Sequence, residues 1–193
     1  MNGAIIINNK NKEDIMKGII IYKSRTGFTQ RYAQWISEEL KYDIESYQDI
    51  RKDSIEQYDL VIYGGNLYAG KIDGLAKIKD LVSNNKKCRL MVFATGASPA
   101  EAKEEIDKVW SENLSAEELK EVPHFYMPGG LNYEKMGFVD RTLMRIFSKM
   151  MERKKDKTAS DEECAKAITA SYDISSKDYI KPLVKYIKEG KLA

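Results

Sequence analysis

The sequence predicts an α/β fold in which a doubly wound parallel sheet carries helices on both faces. Short apolar runs at residues 18–22, 58–63 and 88–94 are typical of strands that are buried on both faces of such a sheet. Segments with helical periodicity separate these runs, and polar stretches that contain glycine follow them. The chain of 193 residues suits a single domain of this kind.

The remaining elements follow from periodicity and punctuation. A helix is predicted over residues 28–40, and the alternating stretch at residues 42–47 predicts a short strand near the sheet edge. The strand at residues 58–63 is expected to end at the glycine pair Gly64 and Gly65. The later predictions are helices at residues 74–82 and 100–110, the second with Pro99 in its first turn, a helical turn at 115–120, a strand at 124–127, and helices at 135–153, 161–170 and 176–189.

The N-terminal segment lacks the apolar pattern that marks the strands and helices in the rest of the chain. Residues 8–14 are polar and unpatterned, and Met16 stands directly before the first predicted strand. We therefore expect residues 1–15 to be a disordered or additional extension and residues 16–193 to form the domain. The alternative is that residues 4–7 add a small edge strand.

Composition and charge exclude several classes of protein. Lys plus Arg is 32 and Asp plus Glu is 30, so the chain lacks the basic excess of a nucleic-acid binder. No apolar run approaches the roughly 20 residues that span a bilayer, and the start does not resemble a signal peptide. Two distant cysteines and one histidine argue against a metal site, and we expect a reduced, cytoplasmic protein.

The stretch after the first predicted strand indicates an anion site. Ser24, Thr26 and Thr29 place three hydroxyls around Gly27, and a helix is predicted to begin directly afterwards. The first N–H groups of a helix have no partner within it, and the helix dipole favours negative charge there, so a phosphate fits this position. The chain has neither GxxxxGK[ST] nor GxGxxG, which excludes a P-loop and the dinucleotide fingerprint.

The pattern Ser24-x-Thr26-Gly27-x-Thr29 resembles the phosphate loop of flavodoxins, which also follows the first strand. The resemblance covers the order of elements from residue 16 onward. It implies a flavodoxin-like five-stranded parallel sheet of order 2-1-3-4-5 and FMN as the cofactor. It implies that hydroxyls and backbone N–H groups of one loop bind the FMN phosphate: Ser24, Arg25, Thr26, Gly27, Phe28 and Thr29.

Two later loops are expected to hold the flavin ring, because ligands of doubly wound sheets bind at the carboxyl ends of the strands. The loop after the third strand would cover one ring face, with Tyr68 stacked on it. The loop after the fourth would contact the ring edge and leave the other face open to a substrate. The residues assigned are Asn66, Leu67, Tyr68, Ala69 and Gly70 from the first loop and Thr95, Gly96 and Ala97 from the second. The flavin supplies the redox chemistry, so no catalytic acid or base is assigned.

A narrower resemblance concerns the substrate. Residues 23–29, 129–133 and 140–151 look like the corresponding stretches of menaquinone-dependent protoporphyrinogen IX dehydrogenases. This resemblance implies an FMN-dependent oxidoreductase that exchanges electrons with a redox partner protein or a small-molecule or quinone substrate. Two alternatives stay open: a non-enzymatic flavodoxin that carries electrons, and an FMN-free interaction domain of the same fold.

The predicted helix at residues 135–153 indicates a possible contact with a membrane or a partner. Its periodicity predicts a core-facing stripe of Val139, Leu143, Ile146, Phe147 and Met150. Further apolar residues remain outside the stripe, and basic residues outnumber acidic ones. Such a helix can rest on a membrane surface or bind a partner, which would make the protein peripheral on the inner face of the membrane. The alternative is an ordinary helix with a solvated basic face.

Overall fold

A computed structural model of the chain describes residues 4–7, 14–85, 87–153 and 169–191. The strands are β1 (Ala4–Ile7), β2 (Asp14–Lys23), β3 (Asp43–Ser46), β4 (Leu60–Tyr68), β5 (Lys71–Ile72), β6 (Arg89–Gly96), β7 (His124–Pro128), β8 (Gly130–Leu131) and β9 (Tyr172–Asp173). The α-helices are α1 (Phe28–Leu40), α2 (Leu75–Ser83), α3 (Lys103–Asn113), α4 (Glu118–Glu121), α5 (Phe138–Arg153) and α6 (Lys181–Lys188), and short 3₁₀ helices cover Lys52–Ile55 and Lys177–Ile180.

The central sheet confirms the predicted fold class. Five strands pair in parallel in the order β3-β2-β4-β6-β7, which is 2-1-3-4-5 when these strands are counted along the chain. In the part of the chain that the structure describes, β1 and β5 extend the sheet to seven strands by antiparallel pairing. The small sheet of β8 and β9 was not predicted, because strands of two residues carry no recognisable pattern.

Side chains from both faces of the sheet form two separate cores, as the continuous apolar strands predict. Ile20 packs on one face with residues of α1 and α6, including Tyr32 and Leu183. Its neighbours Ile19 and Ile21 point to the other face, where α2 and α3 cover them. Successive side chains of a strand alternate between faces, so an apolar residue is needed at every position.

Residues 4–7 form the edge strand that was the alternative for the N-terminal segment. β1 pairs antiparallel with the first residues of β2, from Ala4 opposite Lys17 to Ile7 opposite Asp14. As a result β2 begins at Asp14 rather than at residue 18. Residues 1–3 and 8–13 lie outside the described residues, and the domain boundary at residue 16 stays a prediction.

The third parallel strand continues beyond the predicted end at Gly64. A Cβ atom at Gly64 would lie 2.1 Å from Cζ of Phe93, so this glycine makes room for a ring on the neighbouring strand and does not end β4. The chain turns only at Ala69 and Gly70, which both have positive φ, as a type I′ hairpin turn requires. The segment predicted as a glycine-rich loop is therefore a β-hairpin.

Several helix boundaries also differ from the predictions. The helix expected from residue 100 begins at Lys103, so Pro99 precedes it and accepts a hydrogen bond in the turn before it. The long helix begins at Phe138, not at residue 135. The last predicted helix is a 3₁₀ turn followed by α6, which has Pro182 at its start. The predicted helix at residues 161–170 lies mostly outside the described residues.

The apolar stripe of α5 faces solvent, which corrects the prediction that it faces the core. The exposed fractions of the large apolar side chains are 83% for Phe138, 65% for Val139, 50% for Leu143, 58% for Ile146 and 61% for Met150. The side chain of Phe147 lies outside the described residues. Periodicity identifies residues that share a helix face but not whether that face packs against the domain. One contact of α5 with the domain is the ion pair between Asp140 and Arg25.

Candidate functional site

The turn between β2 and α1 is shaped by its own residues. The Gly27 N–H donates a hydrogen bond to Ser24 Oγ (3.1 Å), and the Gly27 carbonyl accepts one from the Arg31 N–H (3.0 Å). Gly27 has a φ of 99°, a left-handed conformation that residues with a Cβ rarely adopt. The glycine and the serine of the predicted phosphate motif therefore build the turn, and the Gly27 N–H that the resemblance assigned to the phosphate is used within it.

The N-terminus of α1 has no hydrogen-bond partner in the part of the chain that the structure describes. No side chain caps it, and its first turn contains no acidic residue. Among the described residues, the N–H groups of Phe28, Thr29 and Gln30 have no hydrogen-bond acceptor. The hydroxyl of Thr26, which is half-buried beside them, also has none there. This arrangement leaves donors available for an anion, as helix N-termini do in phosphate sites.

Two predicted site residues from different motifs contact each other directly. Thr29 Oγ1 and Thr95 Oγ1 are 2.7 Å apart, and the two residues are 0% and 3% exposed. One hydroxyl donates in this hydrogen bond, and the other keeps its hydrogen for a further acceptor. The contact fixes the start of α1 against the end of β6. Thr29 is thus not a free surface hydroxyl, as a simple transfer of the family motif would imply.

Asn66 lies beside Thr95, because these two residues are opposite each other where β4 pairs with β6. Its side-chain oxygen is buried and accepts no hydrogen bond from any residue that the structure describes. Its side-chain nitrogen makes only a long contact of 3.5 Å to the Leu67 carbonyl. An unsatisfied buried acceptor costs about 1–3 kcal/mol, so this oxygen fits a donor on a bound molecule.

The loops after β6 and β7 close around the same turn. The Gly129 N–H donates to the Gly96 carbonyl (2.8 Å), and a Cβ on Gly129 would lie 3.0 Å from the Phe28 Cβ. The Ala97 carbonyl accepts a hydrogen bond from the Tyr172 hydroxyl (2.9 Å). The structure therefore brings together the turn between β2 and α1 (residues 24–27), called the phosphate turn after its predicted ligand, and the carboxyl ends of three neighbouring strands, as expected for a doubly wound sheet.

The predicted stacking residue Tyr68 belongs to a charged cluster next to the turn. The guanidinium carbon of Arg25 lies 3.9 Å from the centre of the Tyr68 ring. Arg25 also forms ion pairs with Asp73 (Nε to Oδ2, 3.1 Å) and Asp140 (Nη1 to Oδ2, 3.6 Å). One face of the Tyr68 ring is thus covered by a cation in this structure, and a flavin can stack on that face only if Arg25 moves.

Asp73 is the anion at the centre of this cluster. Lys23 Nζ lies 2.8 Å from its Oδ1, whereas Arg25 contacts the other carboxylate oxygen, Oδ2. Partial burial works to raise the pKa of Asp73, but the hydrogen bonds from Lys23 and Arg25 outweigh it and lower that pKa. The carboxylate therefore stays charged and holds both cations. Sequence reasoning missed Asp73, since an acidic residue just before a helix carries no distinctive signal.

The other residues of the predicted hairpin contribute less directly. The Leu67 side chain packs against Gly96, with Cδ1 2.9 Å from the position of a Cβ there. The Gly70 carbonyl accepts a hydrogen bond from Asn113 of α3 (2.8 Å) and so faces that helix. With Ala69, these residues form the hairpin end of β4. Lys135 was also missed as a site residue, although its ammonium lies close to Gly27.

His124 and Cys88 lie away from the turn, at the opposite end of the sheet. His124 begins β7, at the opposite end from the strand termini of the site, and its ring lies 4.7 Å from that of Trp110. Cys88 is buried, and burial raises the pKa of its thiol to about 11. Cys164 lies outside the described residues. In the described part of the chain, no group of histidine, cysteine and acidic residues is arranged to hold a metal ion.

Comparison with known proteins identifies the family to which the chain is similar. The model of the flavodoxin domain family matches residues 19–158. An uncharacterized protein of Methanocaldococcus jannaschii is 35% identical over 86 residues, which are 44% of this chain and 57% of that relative. The chain thus matches little more than half the length of this relative.

Three solved structures are similar at low sequence identity. A flavodoxin from the Archaea is 17% identical over 88% of this chain and 99% of its own, with a TM-score of 0.40. Flavodoxin 1 of Bacillus cereus is 16% identical over 72% of this chain and 99% of its own (TM-score 0.39). A flavoprotein of Lactobacillus acidophilus, solved in complex with FMN, is 15% identical over 58% of this chain and 92% of its own (TM-score 0.38). Because the family model matches well over half of the sequence, the chain belongs to the flavodoxin domain family.

Proposed function

We propose that this protein is an FMN-dependent oxidoreductase that passes electrons through the flavin. The observation that carries the proposal is the uncapped N-terminus of α1, which follows a hydroxyl-rich turn at the carboxyl edge of a flavodoxin-domain sheet. A phosphate monoester is the group that this set of donors fits, because it has several acceptor oxygens and a negative charge that the helix dipole favours.

The residues present fit FMN. The N–H groups of Phe28, Thr29 and Gln30 and the hydroxyl of Thr26 would hold the phosphate. The buried Asn66 oxygen would accept a hydrogen bond from the ring system. The bound flavin supplies the electron-transfer chemistry. The protein's part is to bind, orient and shield it, and the loops after β6 and β7 supply the shielding.

The proposal is tested by adding FMN to the purified protein. We expect a yellow complex that keeps its flavin through gel filtration, and a visible spectrum that bleaches on reduction with dithionite. Riboflavin, which lacks the phosphate, should be retained far less well. A protein that takes up neither flavin would overturn the proposal and favour an FMN-free interaction domain.

For the substrate we propose a reduced small molecule as donor and a quinone as acceptor. The support is the resemblance of residues 23–29, 129–133 and 140–151 to protoporphyrinogen IX dehydrogenases. The test is oxidation of protoporphyrinogen IX by the FMN-loaded protein with a menaquinone analogue as acceptor. Quinone-dependent turnover above the rate with free FMN supports the proposal. Electron exchange with redox proteins but no turnover with the quinone would identify a carrier.

We further propose that α5 binds a membrane with an anionic surface. The exposed face of the helix combines the apolar stripe with two exposed cations, Arg145 and Lys149. The acidic residue in its first turn, Asp140, is paired with Arg25 and does not oppose anionic lipid. No helix in the described part of the chain is long and apolar enough to cross a bilayer.

Vesicle sedimentation with a matched pair of variants tests this contact. Wild-type protein should sediment with vesicles that contain phosphatidylserine and much less with neutral vesicles. Ile146→Glu, at a position that is 58% exposed on α5, should abolish sedimentation. Ile44→Glu, at a position that is 39% exposed on β3, should not. Loss of a wild-type dimer in the Ile146→Glu variant, without any vesicle binding by the wild type, would instead assign the stripe to a second copy.

A further inference from the structure

A lysine from a distant part of the chain lies over the phosphate turn. Lys135 lies between β8 and α5, and its Nζ is 3.3 Å from the position that a Cβ atom on Gly27 would occupy. The absence of a side chain at Gly27 leaves this ammonium group next to the turn. An ammonium group this close to the turn can form a charge-assisted hydrogen bond with an anion bound there, and such bonds are stronger than those between neutral groups.

Lys135 differs from the other cations around the turn, because those cations have acidic partners. Lys23 and Arg25 share Asp73, and Arg31 pairs with Asp173 (2.5 Å). Among the described residues, no carboxylate lies within ion-pair distance of the Lys135 ammonium. Its positive charge is therefore not compensated within the part of the protein that the structure describes.

The backbone around Lys135 is fixed by hydrogen bonds. The Lys135 N–H donates to Asn132 Oδ1 (3.1 Å), which closes a local turn. The Ser171 hydroxyl accepts a hydrogen bond from the Tyr133 N–H (2.9 Å) and donates to Glu134 Oε2 (2.7 Å). This segment is thus tied to the small sheet of β8 and β9, which holds Lys135 beside Gly27.

We infer that Lys135 binds the phosphate group of the cofactor and determines the preference for FMN over riboflavin. This inference rests on the proposed function. A phosphate monoester carries about −1.5 to −2 charges at neutral pH, whereas a helix N-terminus offers the equivalent of only about +0.5. A single ammonium beside the same turn supplies most of the missing positive charge. Riboflavin has no group at this position and gains nothing from it.

The experiment compares the affinities of the flavin-free protein for FMN and for riboflavin, measured by quenching of flavin fluorescence. Lys135→Gln should weaken FMN binding about tenfold, the lower end expected for a hydrogen bond to a charged group at an exposed site. Riboflavin affinity should stay within about twofold of wild type. Lys135→Arg should keep most of the FMN affinity, and Lys120→Gln on α4 is the control with the same loss of charge.

Salt dependence gives a second measurement. FMN affinity of the wild type should fall as ionic strength rises, and Lys135→Gln should lose part of this dependence. Equal FMN affinity of Lys135→Gln and wild type would overturn the inference and leave FMN binding itself intact. An equal loss of FMN and riboflavin affinity would also overturn it, since that result indicates a structural role. A wild-type protein that binds neither flavin refutes the proposed function and this inference together.

Discussion

The hydrogen bond between Thr29 and Thr95 offers the sharpest test of how the site is held together. Thr29→Val keeps the shape of the side chain and removes its hydroxyl. The Thr95 hydroxyl, on a residue that is only 3% exposed, then loses the partner at 2.7 Å. A buried hydroxyl without a partner costs about 1–3 kcal/mol, and we expect the free energy of unfolding to fall by that amount.

The reverse change and the double variant complete the cycle. Thr95→Val should also cost about 1–3 kcal/mol, for the same reason. The double variant Thr29→Val/Thr95→Val removes both polar groups at once and leaves no orphaned hydroxyl. Its loss of stability should therefore be clearly smaller than the sum of the single losses, with a coupling of about 0.5–3 kcal/mol.

Urea unfolding of the flavin-free protein measures these differences, because cofactor binding cannot then contribute to stability. The midpoint and slope of each transition give the four free energies that the cycle needs. If the double variant loses the sum of the two single losses, the hydroxyls do not interact, and the argument that this bond joins α1 to β6 is refuted.

Three further outcomes follow from the packing and the charges. Gly64→Ala should destabilise the protein by about 1–3 kcal/mol in thermal or urea unfolding, because the added Cβ meets a ring on β6, whereas Gly137→Ala, with open space around it, should be nearly neutral. Tyr32→Phe should cost about 1–3 kcal/mol in the same assay, since the buried hydroxyl donates to one backbone carbonyl and accepts from the Ser176 N–H. The pKa of Asp73 is lowered in the folded state, so the ionised carboxylate contributes to stability above about pH 4, and this contribution is lost as the pH falls through the folded pKa. When the free energy of unfolding is measured at decreasing pH, Asp73→Asn should therefore lose less stability than the wild type.

The parallel sheet could be predicted because its strands are buried on both faces. Ile19, Ile20 and Ile21 need no alternation, since each face of β2 meets a helix layer. A continuous apolar run does not show at which residue a strand ends. Gly64 reads as a strand terminator from sequence, yet its role depends on Phe93, which lies on another strand.

The turn between β2 and α1 could be predicted because its structure is local, and its role in binding a phosphate stays a prediction. Ser24, Gly27 and the start of α1 are contiguous, and the turn is closed by their own hydrogen bonds. Asp73 and Lys135 could not be predicted as site residues, because only the tertiary structure brings them to this turn. The pairing of Thr29 with Thr95 is hidden from sequence for the same reason.

The orientation of α5 was wrong because the periodicity of an amphipathic helix does not identify its partner. Leu143 and Ile146 have the spacing of core residues, and both are at least half exposed. The helix is connected to the domain at its start by the ion pair of Asp140 with Arg25. An exposed apolar face is a candidate for an interface, which is why the vesicle experiment uses Ile146.

The central claim is that the phosphate of FMN lies on the N-terminus of α1. Amide ¹⁵N–¹H spectra of the labelled protein, recorded while FMN is added, test it residue by residue. We predict that the amide signals of Phe28, Thr29 and Gln30 shift strongly with FMN and much less with riboflavin at equal saturation. FMN binding that leaves these three signals in place, with the largest shifts elsewhere in the protein, would contradict the account.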